Sequence, residues 1–138
     1  MTRTSELLMS DTTFQVSATG NPVRANGWFG CSGSQQTVQI TVSNFTGRVG
    51  IQGTLAVDPK DGDWFPIYLN TTQPFLIYPR SLDNVPQTGT GETSTLAFNF
   101  YGNFIWIRAI MDRENLGYEP DEQQLSQLGN VNKILLSR

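Results

Sequence analysis

The residues that could do chemistry are few, and their types narrow it at once. The chain has no histidine, which removes the usual general base, the commonest metal ligand and every histidine-activated nucleophile. Its one cysteine, Cys31, cannot form an internal disulfide or complete a structural zinc site, and reads as a small apolar residue. Acids gather in the run DPKDGD, where Asp58, Asp61 and Asp63 surround Pro59 and Gly62. A glycine-bent loop of oxygens invites a calcium reading, but the alternating ligands and closing bidentate glutamate of an EF-hand are missing. An acidic surface turn is expected there, with no metal and no cofactor. Asp61 or Asp63 together with Glu92 could flank a glycosidic bond, yet only composition speaks for it. No catalytic residue is assigned, and the expectation is a protein that is not an enzyme.

Aromatic side chains are the stronger signal: eight Phe, four Tyr and three Trp. The large ones fall at Trp28-Phe29, Trp64-Phe65 and Phe104/Trp106, within strand-like runs where a ring more often packs in the core than meets a ligand. Trp28 and Phe29 are adjacent and must point to opposite faces of a strand, which places one of them at a subunit contact. With Phe14 and Val16 near the start of the chain and Ile134 and Leu136 near its end, they are the interface candidates. A sugar-binding alternative would use Trp28, Tyr78 and Tyr101 as stacking platforms, with Asp61 and Asp63 near the loop tips. Arg108, between Trp106 and Ile110 on an apolar face, either reaches to a rim or pairs with an acid such as Asp112.

The elements that must position these residues are strands. Over 36–43, QTVQITVS puts Val38, Ile40 and Val42 on one face and Thr37, Gln39 and Thr41 on the other, a period of two. A break at Ser43-Asn44 and Gly47 leads to 48–55, RVGIQGTL, with Val49, Ile51, Gly53 and Leu55 alternating; the two runs predict an antiparallel pair. A third strand follows over 64–69 and an edge strand over 75–78, stopped by Pro79. The run 81–92 predicts a long mobile loop. Leu96, Phe98 and Phe100 alternate in 95–100, and the turn Tyr101-Gly102-Asn103 predicts a hairpin into 104–111, FIWIRAIM, whose two apolar faces suit a central strand. One helix is expected over 120–128, with proline and acids in its first turn and Gly129 at its stop, and a last strand over 131–136. Scattered anchors before Gly20-Asn21-Pro22 predict an extended N-terminal arm over 1–25, a sandwich core over 26–112, and a helix and tail over 113–138 that complete the domain or an interface. The fold class is all-β: an antiparallel β-sandwich or jelly roll with an N-terminal arm and one short C-terminal helix.

At 138 residues one domain is expected. The net charge of −3 and a pI of about 4.7 have the wrong sign for a protein that neutralises phosphates, so nucleic acid is not an expected partner. No apolar run approaches the roughly 20 residues of a membrane helix, and Leu7, Leu8 and Met9 are too few for a signal-peptide core. Synthesis in the cytoplasm, with no membrane partner, is expected. The glycosylation patterns at Asn44 and Asn70 are then incidental.

The runs SNFTGRVGIQGTLAVDPKDGDWFPI over 43–67 and FNFYGNFIWIRAIMDR over 98–113 resemble a family of small β-sandwich virion proteins of tailed bacteriophages. They are most similar to those of large contractile-tailed phages, including phages of cyanobacteria, and the closing GNVNKILLSR fits that setting. The resemblance implies fold-bearing roles for Gly47, Trp64 and Phe65, with Trp106 presented to the core. Gly50 departs from it, as a glycine at an exposed strand position where a larger residue is expected. The function implied is a non-enzymatic structural component of the tail, neck or capsid, a homo-oligomer whose partners are other virion proteins. Strand edges, the 1–25 arm and the 131–136 tail would do the joining, over roughly 800 Å² or more per partner. The alternative is a carbohydrate-binding or host-attachment module of a phage particle, with a host surface glycan as ligand.

Overall fold

A computed structural model describes residues 5–12, 15–30, 35–69, 73–78, 91–116 and 118–137. The chain is an all-β sandwich of two antiparallel sheets packed face to face. Its strands are β1 (Ser5–Met9), β2 (Ala18–Thr19), β3 (Val23–Arg24), β4 (Gln35–Phe45), β5 (Gly47–Thr54), β6 (Phe65–Ile67), β7 (Leu76–Tyr78), β8 (Glu92–Tyr101), β9 (Trp106–Asp112) and β10 (Asn130–Ser137). One sheet runs β1-β10-β4-β8. The other runs β2-β9-β5-β6, with β3 also on β9 and β7 also on β5. The core lies between them, built from the inward residues the alternation selects: Val38, Ile40 and Val42 of β4, Val49 and Ile51 of β5, and Ile107, Ala109 and Met111 of β9.

Strand positions follow the sequence pattern; strand pairing does not. The expected pair of β4 with β5 is absent, since β4 pairs with β10 and β8 while β5 pairs with β9, β6 and β7. Likewise β8 and β9 form no hairpin and belong to different sheets. Both turns carry the chain from one sheet to the other. At the first, Asn44 takes a left-handed φ of 48°, which asparagine tolerates better than most residues. Its side chain accepts from the Gly91 amide at 2.9 Å, and its own amide donates to Thr93 Oγ1 at 2.9 Å. Gly47 is needed for close approach, because a Cβ there would lie 2.8 Å from the Asp112 carbonyl oxygen. Gly50 is buried rather than exposed: a Cβ would meet Ile110 and the Pro74 carbonyl, so the 73–75 segment covers that strand position.

The chain ends correct the expected arm and tail. Strand β1 pairs along β10, and β2 and β3 pair along β9, with Leu8 and Met9 buried in the core. The described residues of the 5–25 segment, 5–12 and 15–25, therefore close one flank of the sandwich, reaching both sheets. Strand β10 is central, flanked by β1 and β4, so it completes the domain and cannot add to a neighbour's edge. The helix is shorter than expected, α1 (Glu122–Leu125), because Asp121 rather than Pro120 begins it. The Asp121 side chain accepts from the Gln124 amide and the Gln124 side chain from the Asp121 amide, a reciprocal cap. The expected loop over 81–92 lies outside the described residues up to position 90.

Candidate functional site

The outer face of the six-stranded sheet carries three arginines, each held against an aromatic ring. They follow from the register. Arg24 of β3 sits opposite Trp106 of β9, Gln52 of β5 opposite Arg108, and Arg48 opposite Asp112; all point away from the core because Ile107, Ala109 and Met111 point into it. The Arg24 guanidinium lies 4.4 Å from the Trp28 ring centre and 5.7 Å from that of Trp106. The two indoles are 5.2 Å apart and tilted by 52°. Arg108 stacks 4.2 Å over Trp64 and donates to Gln52 Oε1 at 2.7 Å. Burial lowers its pKa, with the charge of Asp61 opposing that shift. Arg48 covers Phe75 at 3.8 Å and grips Asp112 through two bonds of 2.7 and 2.8 Å, with Glu114 at 2.9 Å. Its hydrogen bond to Asp112 raises the Arg48 pKa.

The Trp28 end of this face is prebuilt by the main chain. Ala25 donates to the Ile105 carbonyl and Gly27 to that of Phe104, while Trp28 donates back to Ala25. A Cβ on Gly27 would lie 2.1 Å from the Asn103 carbonyl oxygen, so only glycine lets the turn come this close. Trp106 Nε1 donates to the Val57 carbonyl at 2.9 Å, which locks the indole and draws the 55–57 segment beside it. Beside this centre stand Trp28 at 36% exposure and Val57 at 65%, and their chain neighbours Phe29 and Leu55 are exposed at 50% and 64%. The result is a rigid apolar ridge with one guanidinium in it. Trp106 is thus an outer-face residue and not the core residue the resemblance implies.

The other candidates scatter. Phe14 and Cys31 lie outside the described residues. Val16 is exposed and lines a cleft with Tyr118 and Pro120. Ile134 and Leu136 have no exposure; as inward residues of a central strand they serve this chain's own core, which corrects their reading as interface residues. Tyr78 is equally buried, its ring edge-on to Phe45 at 5.5 Å, and is no sugar platform. Tyr101 is exposed, but on the outer face of the other sheet, so Trp28, Tyr78 and Tyr101 do not converge. Asp61 and Asp63 occupy an exposed turn before β6, whereas Glu92 begins β8 at the far end of the sandwich. Ten residues of strand separate those ends, about 30 Å, too far for the acid pair of a glycosidase. Arg108 stacks on Trp64 and bonds Gln52, while Asp112 is taken by Arg48. Among the described residues, no group of three or more His, Cys, Asp or Glu side chains could hold a metal ion.

One residue that the sequence reading passed over dominates the opposite end. Arg113 follows β9 and is 2% exposed. Its guanidinium donates to four main-chain carbonyls: Gln15 at 3.0 Å, Thr46 at 2.6 Å, Leu128 at 3.1 Å and Gly129 at 2.9 Å. It packs against Phe45 at 5.1 Å. Burial lowers its pKa to about 10, so it stays charged at neutral pH. The only signal for it is a charged residue next to the end of an apolar strand.

In comparisons with known proteins, no family model matches the chain, no curated protein matches its sequence and no solved structure matches its fold. Fold and site together define a β-sandwich with an aromatic–arginine cluster at one end of one sheet.

Proposed function

We propose that the protein is a non-enzymatic structural component of a bacteriophage virion, on the tail, neck or capsid, and that it docks on another virion protein through the Trp28/Trp106 ridge. The observation that carries this is the ridge itself: Trp28 stands exposed against Arg24 and against a Trp106 indole already fixed to the exposed Val57, with Phe29 and Leu55 exposed next in the chain. Tryptophan and arginine held rigid before contact are the composition of protein-binding hot spots, since little side-chain entropy is lost on docking. The resemblance of 43–67 and 98–113 to phage virion proteins supplies the setting. The absence of histidine from the whole sequence and the wide separation of Asp61 and Asp63 from Glu92 favour a role without turnover.

A glycan-binding surface would need a bare, flat ring. At Trp28 the guanidinium of Arg24 covers one side and Trp106 tilts against the indole, which favours a protein partner. The test is to infect host cells producing tagged protein and to assay purified particles. Wild-type protein is expected in the particles and Leu55→Asp only in the free fraction, folded as judged by circular dichroism. Wild-type protein found only free, or Leu55→Asp packaged as well as wild type, overturns the reading. Binding to host-surface polysaccharide that Trp28→Ala abolishes would replace it with the attachment reading.

A further inference from the structure

The two flanks of the sandwich are finished differently. On one, β1 and β2 close the core and Leu8 and Met9 are buried. On the other stand β8 and the three-residue β6. There Leu96 and Phe98 face inward yet are only half-buried, and Phe65, level with Gly53 on the inner side, keeps 38% exposure. Strand β8 is ten residues long, contains no proline, and carries no charge between Thr93 and Tyr101. Among the described residues nothing pairs with its second edge. It has none of the lysines or prolines along 93–101 that usually blunt such an edge, and its register with β4 runs without a shift from Ser94 to Tyr101.

We infer that this edge pairs with the same edge of a second copy of the chain, antiparallel about a two-fold axis through Ala97. A two-fold normal to the sheet keeps inward residues of both copies on one side, so a residue must face itself at the axis; Leu96 and Ala97 tie for the longest overlap, 92–100 and 93–101, and the side chains that meet select Ala97. The chemistry of that register agrees with its geometry. Leu96 falls opposite the partner's Phe98 twice, which continues the half-open core across the seam. On the outer face Thr95 meets Asn99 and Thr93 meets Tyr101, all uncharged. Glu92 lies beyond the overlap, so two copies of a chain of net charge −3 bring no like charges together. A register centred on Leu96 would instead set Glu92 against Phe100. The product is one eight-stranded sheet with an isologous interface. The inference deepens the assembly reading by naming the edge and register, yet it uses a flank away from the ridge.

The test uses the purified full chain in sedimentation equilibrium. Wild type is expected to dimerise reversibly. Ala97→Lys sits on the exposed outer face, so the monomer keeps its circular dichroism, while two cations meeting at the axis raise the dimer dissociation constant at least about 100-fold. Ala97→Glu does the same, and an equimolar mixture of the two variants regains a dimer. A wild-type monomer at high micromolar concentration, an Ala97→Lys protein that still dimerises, or a mixture that stays monomeric overturns the inference. If neither variant folds, exchange of the β8 amides in wild type decides: exchange that slows with concentration supports it, and concentration-independent exchange overturns it. Particle incorporation is measured separately, so the ridge and the edge can fail independently.

Discussion

Arginine is used in opposite ways at the two ends of β9. Past its last residue, Arg113 is withdrawn from water and spends its donors on the carbonyls of residues 15, 46, 128 and 129. Beside its first, Arg24 lies over Trp28 and Trp106 at the exposed surface. The first arrangement ties the N-terminal segment, the sheet-switching turn and the β10 approach into one knot. The second leaves a cation and its rings open to a partner. A buried guanidinium whose hydrogen bonds go to the main chain reports on folding; one stacked on rings at the surface reports on contact.

The comparison breaks most sharply at Arg113. Arg113→Met takes the guanidinium from four carbonyls; that of Leu128 keeps the Thr46 amide and those of Gln15 and Gly129 are partly buried, while a buried acceptor left unsatisfied costs roughly 1–3 kcal/mol and relaxation at that end recovers part of the sum. We expect a loss of about 3–5 kcal/mol in urea denaturation. Arg113→Lys keeps the charge but only three donors on a point-like head, and falls between that variant and wild type. A methionine variant as stable as wild type would show that the knot holds nothing.

At the other end the effect on folding is smaller and the effect on docking larger. Trp106→Ala removes a half-buried indole and its bond to Val57, and costs about 1–2 kcal/mol, less than a fully buried aromatic. The same variant is expected to vanish from particles while remaining folded. If it unfolds as completely as Arg113→Met, the ridge belongs to the core and the contrast between the ends fails. Arg48 sharpens the scale because it combines both modes, with Phe75 beneath it and Asp112 and Glu114 before it. Arg48→Ala should cost about 1 kcal/mol, a figure that shrinks as salt is added.

How much of this is legible in the sequence depends on the range of the interaction. Alternation over 36–43 identifies β4 and its inward residues, because burial on one face imposes a period of two, whereas 104–111 identifies β9 but not which of its two apolar faces turns inward. Partner choice leaves no such trace. The turns at 44–47 and 102–105 have the glycine and asparagine of hairpins, and an alternating run looks alike whether the chain folds back within its sheet or crosses to the facing one. Strands β2 and β3, two residues each, are too short to show a period and exist only because β9 offers an edge. The Trp28 ridge is half legible: Trp28 and Phe29 read as strand residues with one ring outward, yet they lie in a turn over 26–30 with both rings exposed, and Arg24 and Val57 join Trp28 through the register of β3 with β9 and the bond from Trp106. Ile134 and Leu136 mislead, since an apolar terminal strand reads alike whether it serves a neighbour or the chain's own core.

The smallest effect expected at the Arg113 end is a pH dependence. Burial holds the Arg113 guanidinium near 10, below the ordinary arginine value. Below that pH the group is charged in the folded and the unfolded chain alike, so it adds no slope to stability between about pH 6 and 9. Above it, the unfolded chain binds more protons at this site than the folded one, and linkage makes the site's contribution rise with pH, as the cost of burying the charge is relieved. Arg113→Gln removes the titration. The gap in urea midpoint between wild type and this variant should therefore stay flat from pH 6 to 9 and widen above about 10. A gap at Arg113 that changes between pH 6 and 9, or that fails to widen above about 10, would mean that burial does not set the protonation of this guanidinium.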